Sequence, residues 1–232
     1  MNGTKLFCFA YAGGSASIFL GWKKRLSDHL EVVPVEYAGR GSRFSEPLCE
    51  NIEEMLSDLV KQISIRMDGS PFALFGHSMG SLLAYELAYR LRESFGMLPT
   101  HLFASGQSPP HRKECKKMIH ALPRDEFMAE VTEIGGTPPQ FFEEPDLQEL
   151  FLPVLRADFK IVETYRFMEK SAPLDCDITV LSGARDDGIQ GDLREWEKHT
   201  RGKTAFYELD GDHFFIREQE ESILNIVRNH IN

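Results

Sequence analysis

Phe72-Ala-Leu-Phe-Gly76-His77-Ser78-Met79-Gly80, continued by Ser81-Leu-Leu-Ala-Tyr-Glu-Leu-Ala88, decides the fold. A short apolar run of strand type breaks at a Gly-x-Ser-x-Gly pentapeptide and passes straight into helical apolar spacing, the pattern of a strand, a sharp turn and a helix that lifts a serine clear of a sheet. Ser78 is therefore the candidate nucleophile. A serine hydroxyl is a weak nucleophile, and it must stand where a base can take its proton. Gly76 and Gly80 leave room for the turn, and the amide of Met79 at the helix start is free to face a developing oxyanion. A pentapeptide alone recurs by chance in loops; the strand before it and the helix after it make it specific.

Outward from this stretch, strands and helices alternate. Leu6-Phe7-Cys8-Phe9-Ala10 reads as a buried first strand running into Tyr11-Ala12-Gly13-Gly14-Ser15. A glycine pair after a first strand marks a close backbone approach, and the amide of Ala12 is the natural second oxyanion donor beside that of Met79. Residues 17–27 read as a short helix. Glu31–Glu36 reads as a second strand whose internal proline, Pro34, suits an edge or irregular position. Tyr37-Ala-Gly39-Arg40-Gly41-Ser42-Arg43 is a glycine-rich loop that lacks the Gly-Lys-Ser/Thr ending of a phosphate-binding loop. Apolar residues at 52, 55, 56, 59, 60 and 63 form one helical stripe, with Asn51 as its cap. A helix over 81–93 follows the serine, and His101–Ser105 is the next strand. Such alternation predicts an α/β fold with a mostly parallel, doubly wound sheet whose site lies at the carboxyl ends of the strands.

From about 107 to 171 no strand is evident. Helical stretches around 124–134 and 146–168, separated by Gly135-Gly136-Thr137-Pro138-Pro139, read as a helical lid insertion within a single domain spanning 1–232. Strands return at Asp177–Ser182 and Thr204–Leu209, and an amphipathic helix over 218–230 closes the chain. Ser182-Gly-Ala-Arg-Asp186-Asp187-Gly188 puts carboxylates just past one strand end, and Asp210-Gly-Asp-His213-Phe-Phe215 puts a histidine past another. Ser, Asp, His is the chain order of an α/β-hydrolase triad. His213 would take the Ser78 proton on one ring nitrogen while an aspartate holds the N–H of the other. His77, inside the turn, is expected to pack beside the sheet in a structural role.

Composition narrows the class. The chain has 232 residues, 42% of them hydrophobic, which suffices for one large core. A formal net charge of −10 argues against general binding to nucleic acid or an anionic membrane. Cys8, Cys49, Cys115 and Cys176 and the eight histidines show no metal-ligand spacing, and reduced thiols are expected. Strand-like sequence begins by Lys5, and no apolar run approaches the ~20 residues of a membrane span, so a cytoplasmic protein, soluble and monomeric, is expected.

Tyr11-Ala-Gly-Gly14, Gly76-His-Ser-Met-Gly80, Ile134-Gly-Gly-Thr-Pro138, Leu152-Pro-Val-Leu-Arg-Ala-Asp-Phe159 and Gly211-Asp-His-Phe-Phe215 together resemble the type II, stand-alone editing thioesterases of nonribosomal peptide and polyketide synthesis. The resemblance runs over essentially the whole chain and includes the lid. It implies hydrolysis of misprimed or stalled acyl groups from the phosphopantetheine arm of an acyl or peptidyl carrier protein, with no cofactor of the enzyme's own. By family motif Ser78, Asp186 and His213 correspond to the triad and the amides of Ala12 and Met79 to the oxyanion hole. The family often has Pro or a hydrophobic residue after the acid; here Asp187 follows. Two other readings are a medium-chain acyl-carrier-protein thioesterase of a fatty acid synthase, which would show a sharp chain-length optimum, and a non-catalytic binding protein on the same fold, which an intact triad argues against. An acidic carrier would need local positive charge to dock, and Arg112, Lys113, Lys116 and Lys117 form the one dense basic run.

Overall fold

The structure is a computed structural model and describes residues 3–28, 30–112, 117–136 and 144–231. Thr4–Phe9 (β1), Leu30–Pro34 (β2), Phe72–His77 (β3), His101–Ser105 (β4), Asp177–Gly183 (β5) and Thr204–Leu209 (β6) form one sheet in the order β2-β1-β3-β4-β5-β6. Every pairing in it is parallel. The chain winds outward from β1 to β2 in one direction, then returns to lay β3 on the other side of β1. The order therefore reverses between β1 and β3, and the crevice at their carboxyl ends is where such sheets place a site.

The apolar runs explain the strand positions. β1 and β3 are buried along almost their whole length, as central strands covered on both faces must be. β2, with Pro34 at its end, lies at the sheet edge as expected from a residue that cannot donate to a ladder. Behind the nucleophile, Met79–Phe95 (α3) is buried through most of its turns and ends at Gly96 in the left-handed conformation. Ile52–Ser64 (α2) buries Met55, Leu56, Leu59 and Ile63, and Asn51 Oδ1 accepts the Glu54 amide at 2.9 Å as its cap.

Three helices differ from expectation in extent. The helix expected over 17–27 is a 3-10 turn at Ala16–Phe19, capped by Ser15, followed by Leu20–Arg25 (α1). The long helix of the insertion, Pro145–Thr164, stops four residues early because Tyr165 turns extended and its hydroxyl donates to buried Glu86 at 2.7 Å. The last helix begins as one turn at Phe215–Glu218, breaks at Gln219 and resumes as Glu220–His230.

Between β4 and β5 the chain forms 3-10 turns at Pro110–Arg112 and Ile119–Ala121 and the helices Arg124–Ile134 (α4) and Pro145–Thr164 (α5). These carry a small apolar cluster of their own, Ile119, Phe127, Val131, Leu152 and Leu155, separate from the main core around the sheet. The long helix also reaches the main core, where its Ile161 is buried. Among the described residues no helix is long and apolar enough to cross a membrane.

Candidate active site

Ser78 sits at the tight turn between β3 and α3 with φ 54° and ψ −117°, the one non-glycine residue of positive φ among the described residues. Such strain persists only where the surroundings enforce it. A Cβ at Gly76 would fall 2.1 Å from the Gly80 carbonyl oxygen, and one at Gly80 would fall 2.1 Å from the Phe9 carbonyl oxygen. The two glycines thus let α3 press against the ends of β3 and β1. The Ser78 amide still donates to Ser105 O at 2.8 Å, and the Gln107 side chain donates to Ser78 O at 3.1 Å. No spacing in the sequence marks Gln107.

The three side chains expected to form a triad are brought together. Ser78 Oγ lies 2.8 Å from His213 Nε2, and His213 Nδ1 lies 2.9 Å from Asp186 Oδ2. The second oxygen of Asp186 accepts the Gly188 amide at 3.0 Å. The carboxylate is fully enclosed, whereas Asp187 is exposed, and of the two adjacent acids it is Asp186 that meets the histidine. Burial pushes the Asp186 carboxyl up, but the hydrogen bond and charge of His213 outweigh it and hold it below its ordinary range. An anionic Asp186 fixes the proton on Nδ1 and leaves Nε2 to accept from Ser78.

His77 does more than pack beside the sheet. Its Nε2 donates to the backbone carbonyl of His213 at 2.8 Å and its Nδ1 accepts from Ser105 Oγ at 2.8 Å. Complete burial, and then the neighbouring His213, lower its pKa to about 3, so the ring is neutral and steadies the segment that carries the base. The loop with the glycine pair follows β1. The Gly13 amide is bonded to Asp158 at 2.7 Å and the Gly14 amide to Tyr11 O at 2.8 Å, and Ala12 lines the cavity together with Ser78. Met79, the first residue of α3, has no acceptor for its amide within the helix.

Ser78 and His213 open into a cavity of about 560 Å³. Its lid side is apolar, formed by Val131, Ile134, Leu147, Phe151, Leu155 and Phe159. The lid rests on the base segment: the Phe214 ring packs on Gly136, where a Cβ would come within 2.1 Å, and Arg217 donates to Gly136 O and to the Tyr11 hydroxyl at 2.6 Å. Among the described residues no group of three or more His, Cys, Asp or Glu side chains could hold a metal ion. Of the basic run, Arg112 is paired with Glu195 and Lys117 with Glu130, while Lys113 and Lys116 lie outside the described residues. Thr137 and Pro138 of the lid motif also lie outside them.

Strand order, strained serine and linear Ser-His-Asp array define the class, a serine hydrolase of the α/β-hydrolase fold. The chain belongs to the thioesterase family: the family model described as "Thioesterase domain" matches residues 4–231. Linear gramicidin dehydrogenase LgrE of Brevibacillus parabrevis is 40% identical over 97% of this chain and 86% of that protein. The crystal structure of ClbQ from the colibactin NRPS/PKS pathway superposes with a TM-score of 0.94 at 35% identity, covering 99% of this chain and 97% of that one. The type II thioesterase BorB from the borrelidin biosynthetic cluster gives a TM-score of 0.89 at 34% identity over 99% and 93% of the two chains. The resemblance to the stand-alone thioesterases of nonribosomal peptide and polyketide synthesis, made on short motifs, is borne out over the full length.

Proposed function

We propose that this enzyme clears misprimed or stalled acyl and aminoacyl groups from the phosphopantetheine arm of acyl or peptidyl carrier proteins in a nonribosomal peptide or polyketide synthase. The observation that carries the reading is the continuous Ser78–His213–Asp186 array at the floor of an apolar, lid-covered cavity. Ser78 Oγ attacks the thioester carbonyl carbon as His213 Nε2 takes its proton, and the oxyanion meets the amides of Ala12 and Met79. Collapse breaks the C–S bond. A thiol leaving group has a pKa near ~8.5, so it departs readily and takes up the proton from His213, which is then neutral again. Water, deprotonated by His213, then attacks the acyl-serine; the second collapse releases the carboxylic acid and returns the proton to Ser78. Water is the sole co-reactant, and the reaction needs no metal or cofactor of the enzyme's own.

The dehydrogenase named among the relatives carries a different chemistry, and here the loop after β1, Tyr11-Ala-Gly-Gly14, lacks the Gly-x-Gly-x-x-Gly fingerprint of a dinucleotide site. We place the enzyme in the cytoplasm as a monomer, meeting an acidic carrier through Arg112, Lys113, Lys116 and Lys117. Carrier carboxylates would there compete with Glu195 and Glu130 for Arg112 and Lys117. The deciding assay compares hydrolysis of a panel of acyl-carrier proteins with that of the matching acyl-N-acetylcysteamine thioesters. Broad tolerance of short acyl groups with a carrier preference in kcat/KM supports editing. A sharp medium-chain optimum would move the enzyme to fatty acid release, and no hydrolysis of either substrate would leave a binding protein.

A further inference from the structure

A second enclosed pair of charges lies outside the triad. Asp158, on α5, and Arg40, in the glycine-rich loop after β2, form a two-pronged ion pair, Nη1 to Oδ2 at 2.5 Å and Nη2 to Oδ1 at 2.7 Å. Both side chains are withdrawn from water, to 0% and 3% exposure, and at such a depth a pair offers little net stability over apolar residues of the same volume. What it touches explains its presence. Asp158 Oδ2 also accepts the Gly13 amide at 2.7 Å, and Arg40 Nη1 also donates to Gly14 O at 3.2 Å. The same loop is gripped from two neighbours of Arg40: the Tyr37 hydroxyl donates to Ala10 O at 2.9 Å and Glu36 accepts the Ala16 amide at 3.0 Å. Leu155, one helical turn before Asp158, lines the cavity and packs on Gly13, where a Cβ would come within 2.4 Å.

We infer that Arg40 and Asp158 are a positioning pair that docks the lid helix onto the oxyanion loop, so that closing the acyl cavity and aiming the Ala12 amide are one event. By occupying the Gly13 amide, Asp158 fixes the peptide plane next to the donor; by neutralising Asp158, Arg40 allows a carboxylate to be buried there at all. Catalytic donors must be held in place before the reaction, since reorienting them during it forfeits their advantage. A lid helix that is not seated then leaves a cavity with a mis-aimed donor. An enzyme meant to hydrolyse thioesters only under a closed lid would have this coupling.

The inference rests on the site reading above, and the control for that reading is Ser78→Ala, which must be inactive. The test uses two double variants. Arg40→Met with Asp158→Leu removes both charges and the acceptor for Gly13; Arg40→Gln with Asp158→Asn removes both charges but keeps an acceptor. Loss of an aimed oxyanion donor costs about 10² to 10³ in kcat, so the apolar pair should lose at least about 30-fold in kcat. Its affinity for an unreactive alkyl amide analogue should also fall, but by less than about tenfold, because an unseated lid loses part of the ground-state contact while the mis-aimed donor is felt only in the transition state. Its affinity for an alkyl trifluoromethyl ketone, which adds to Ser78 and places an oxyanion in the hole, should fall in step with kcat. The amide pair should recover most of the rate. A folded apolar pair with wild-type kcat, or equal losses in the two double variants, would overturn the inference. Should the apolar pair not fold, Arg40→Lys keeps the charge and loses the fork: about tenfold lower kcat is expected, and a wild-type kcat overturns the inference by itself.

Discussion

Asp186→Asn should reduce kcat on an acyl-N-acetylcysteamine thioester by about 10⁴, and the geometry says why. Asp186 presents two acceptors to two fixed donors, His213 Nδ1–H at 2.9 Å and the Gly188 amide at 3.0 Å. Asparagine offers one oxygen and one NH₂. If its oxygen keeps Gly188, the NH₂ faces His213 and forces the proton onto Nε2, which then cannot accept from Ser78. If the oxygen faces His213, the NH₂ meets the Gly188 N–H donor to donor. A loss of 10⁴ corresponds to about 5.4 kcal/mol of transition-state stabilisation at 1.36 kcal/mol per tenfold. KM should stay within about threefold, because Asp186 touches no substrate. Thiol release, followed with a chromogenic disulfide, measures both constants. Asp187→Asn is the internal comparison: its side chain is exposed and should matter less than twofold. If Asp187→Asn were the more damaging, or Asp186→Asn kept a tenth of wild-type kcat, the acid would be misassigned.

Ser78→Ala should abolish turnover, by ~10⁴ to 10⁶ in kcat, and Ser78→Gly, equally inactive, should melt at a higher temperature than Ser78→Ala because φ 54° suits glycine. Equal melting temperatures would mean that the turn holds no strain. Gly80→Ala should cost more than about 3 kcal/mol, seen as a melting point lowered by at least about 6 °C, since backbone rather than a movable side chain fills the space a Cβ needs. His77 stays neutral in the folded state down to about pH 3, while in the unfolded chain it titrates near ~6.5. Between those values the unfolded chain binds the extra proton, so stability is full above about pH 6.5 and falls toward pH 3 by at most about 1.4 kcal/mol per pH unit from this group. His77→Gln should flatten that slope in a series of melts from pH 7 to 5, and an unchanged slope would count against it. Reversal of Arg112, Lys113, Lys116 and Lys117 to glutamate should lower kcat/KM on acyl-carrier protein while sparing the small thioester; equal losses would point to a damaged lid.

The sheet and the triad were legible because their signals are local. Six apolar runs, a strained pentapeptide and two polar strand ends each announce themselves within about ten residues, and the parallel order follows from helices between strands. The adjacent acids Asp186 and Asp187 were separable only by motif register, since which of them faces inward depends on the turn that Gly188 completes. The Arg40–Asp158 pair was harder because its partners lie 118 residues apart. One local trace existed: Asp158 falls on the apolar stripe of its helix, in line with Leu155 and Ile161, and a charge on a buried stripe demands a buried partner. Gln107 and the carbonyl held by His77 left no trace, because contacts to backbone groups carry no sequence pattern. The end of α5 was set by a tertiary bond that overrides local propensity.

The position of the lid in the chain also bears on synthesis. β4 and β5 pair directly, His101 against Asp177, yet the whole insertion lies between them. A ribosome adding about 5–20 residues per second needs several seconds to supply the roughly 70 residues that separate these strands. During that interval β4 presents a bare parallel edge, buried on both faces in the finished fold, to every other nascent chain nearby. A longer lid would enclose a larger acyl group and would lengthen that exposure in proportion, so lid length in this architecture trades cavity size against the yield of correctly folded enzyme.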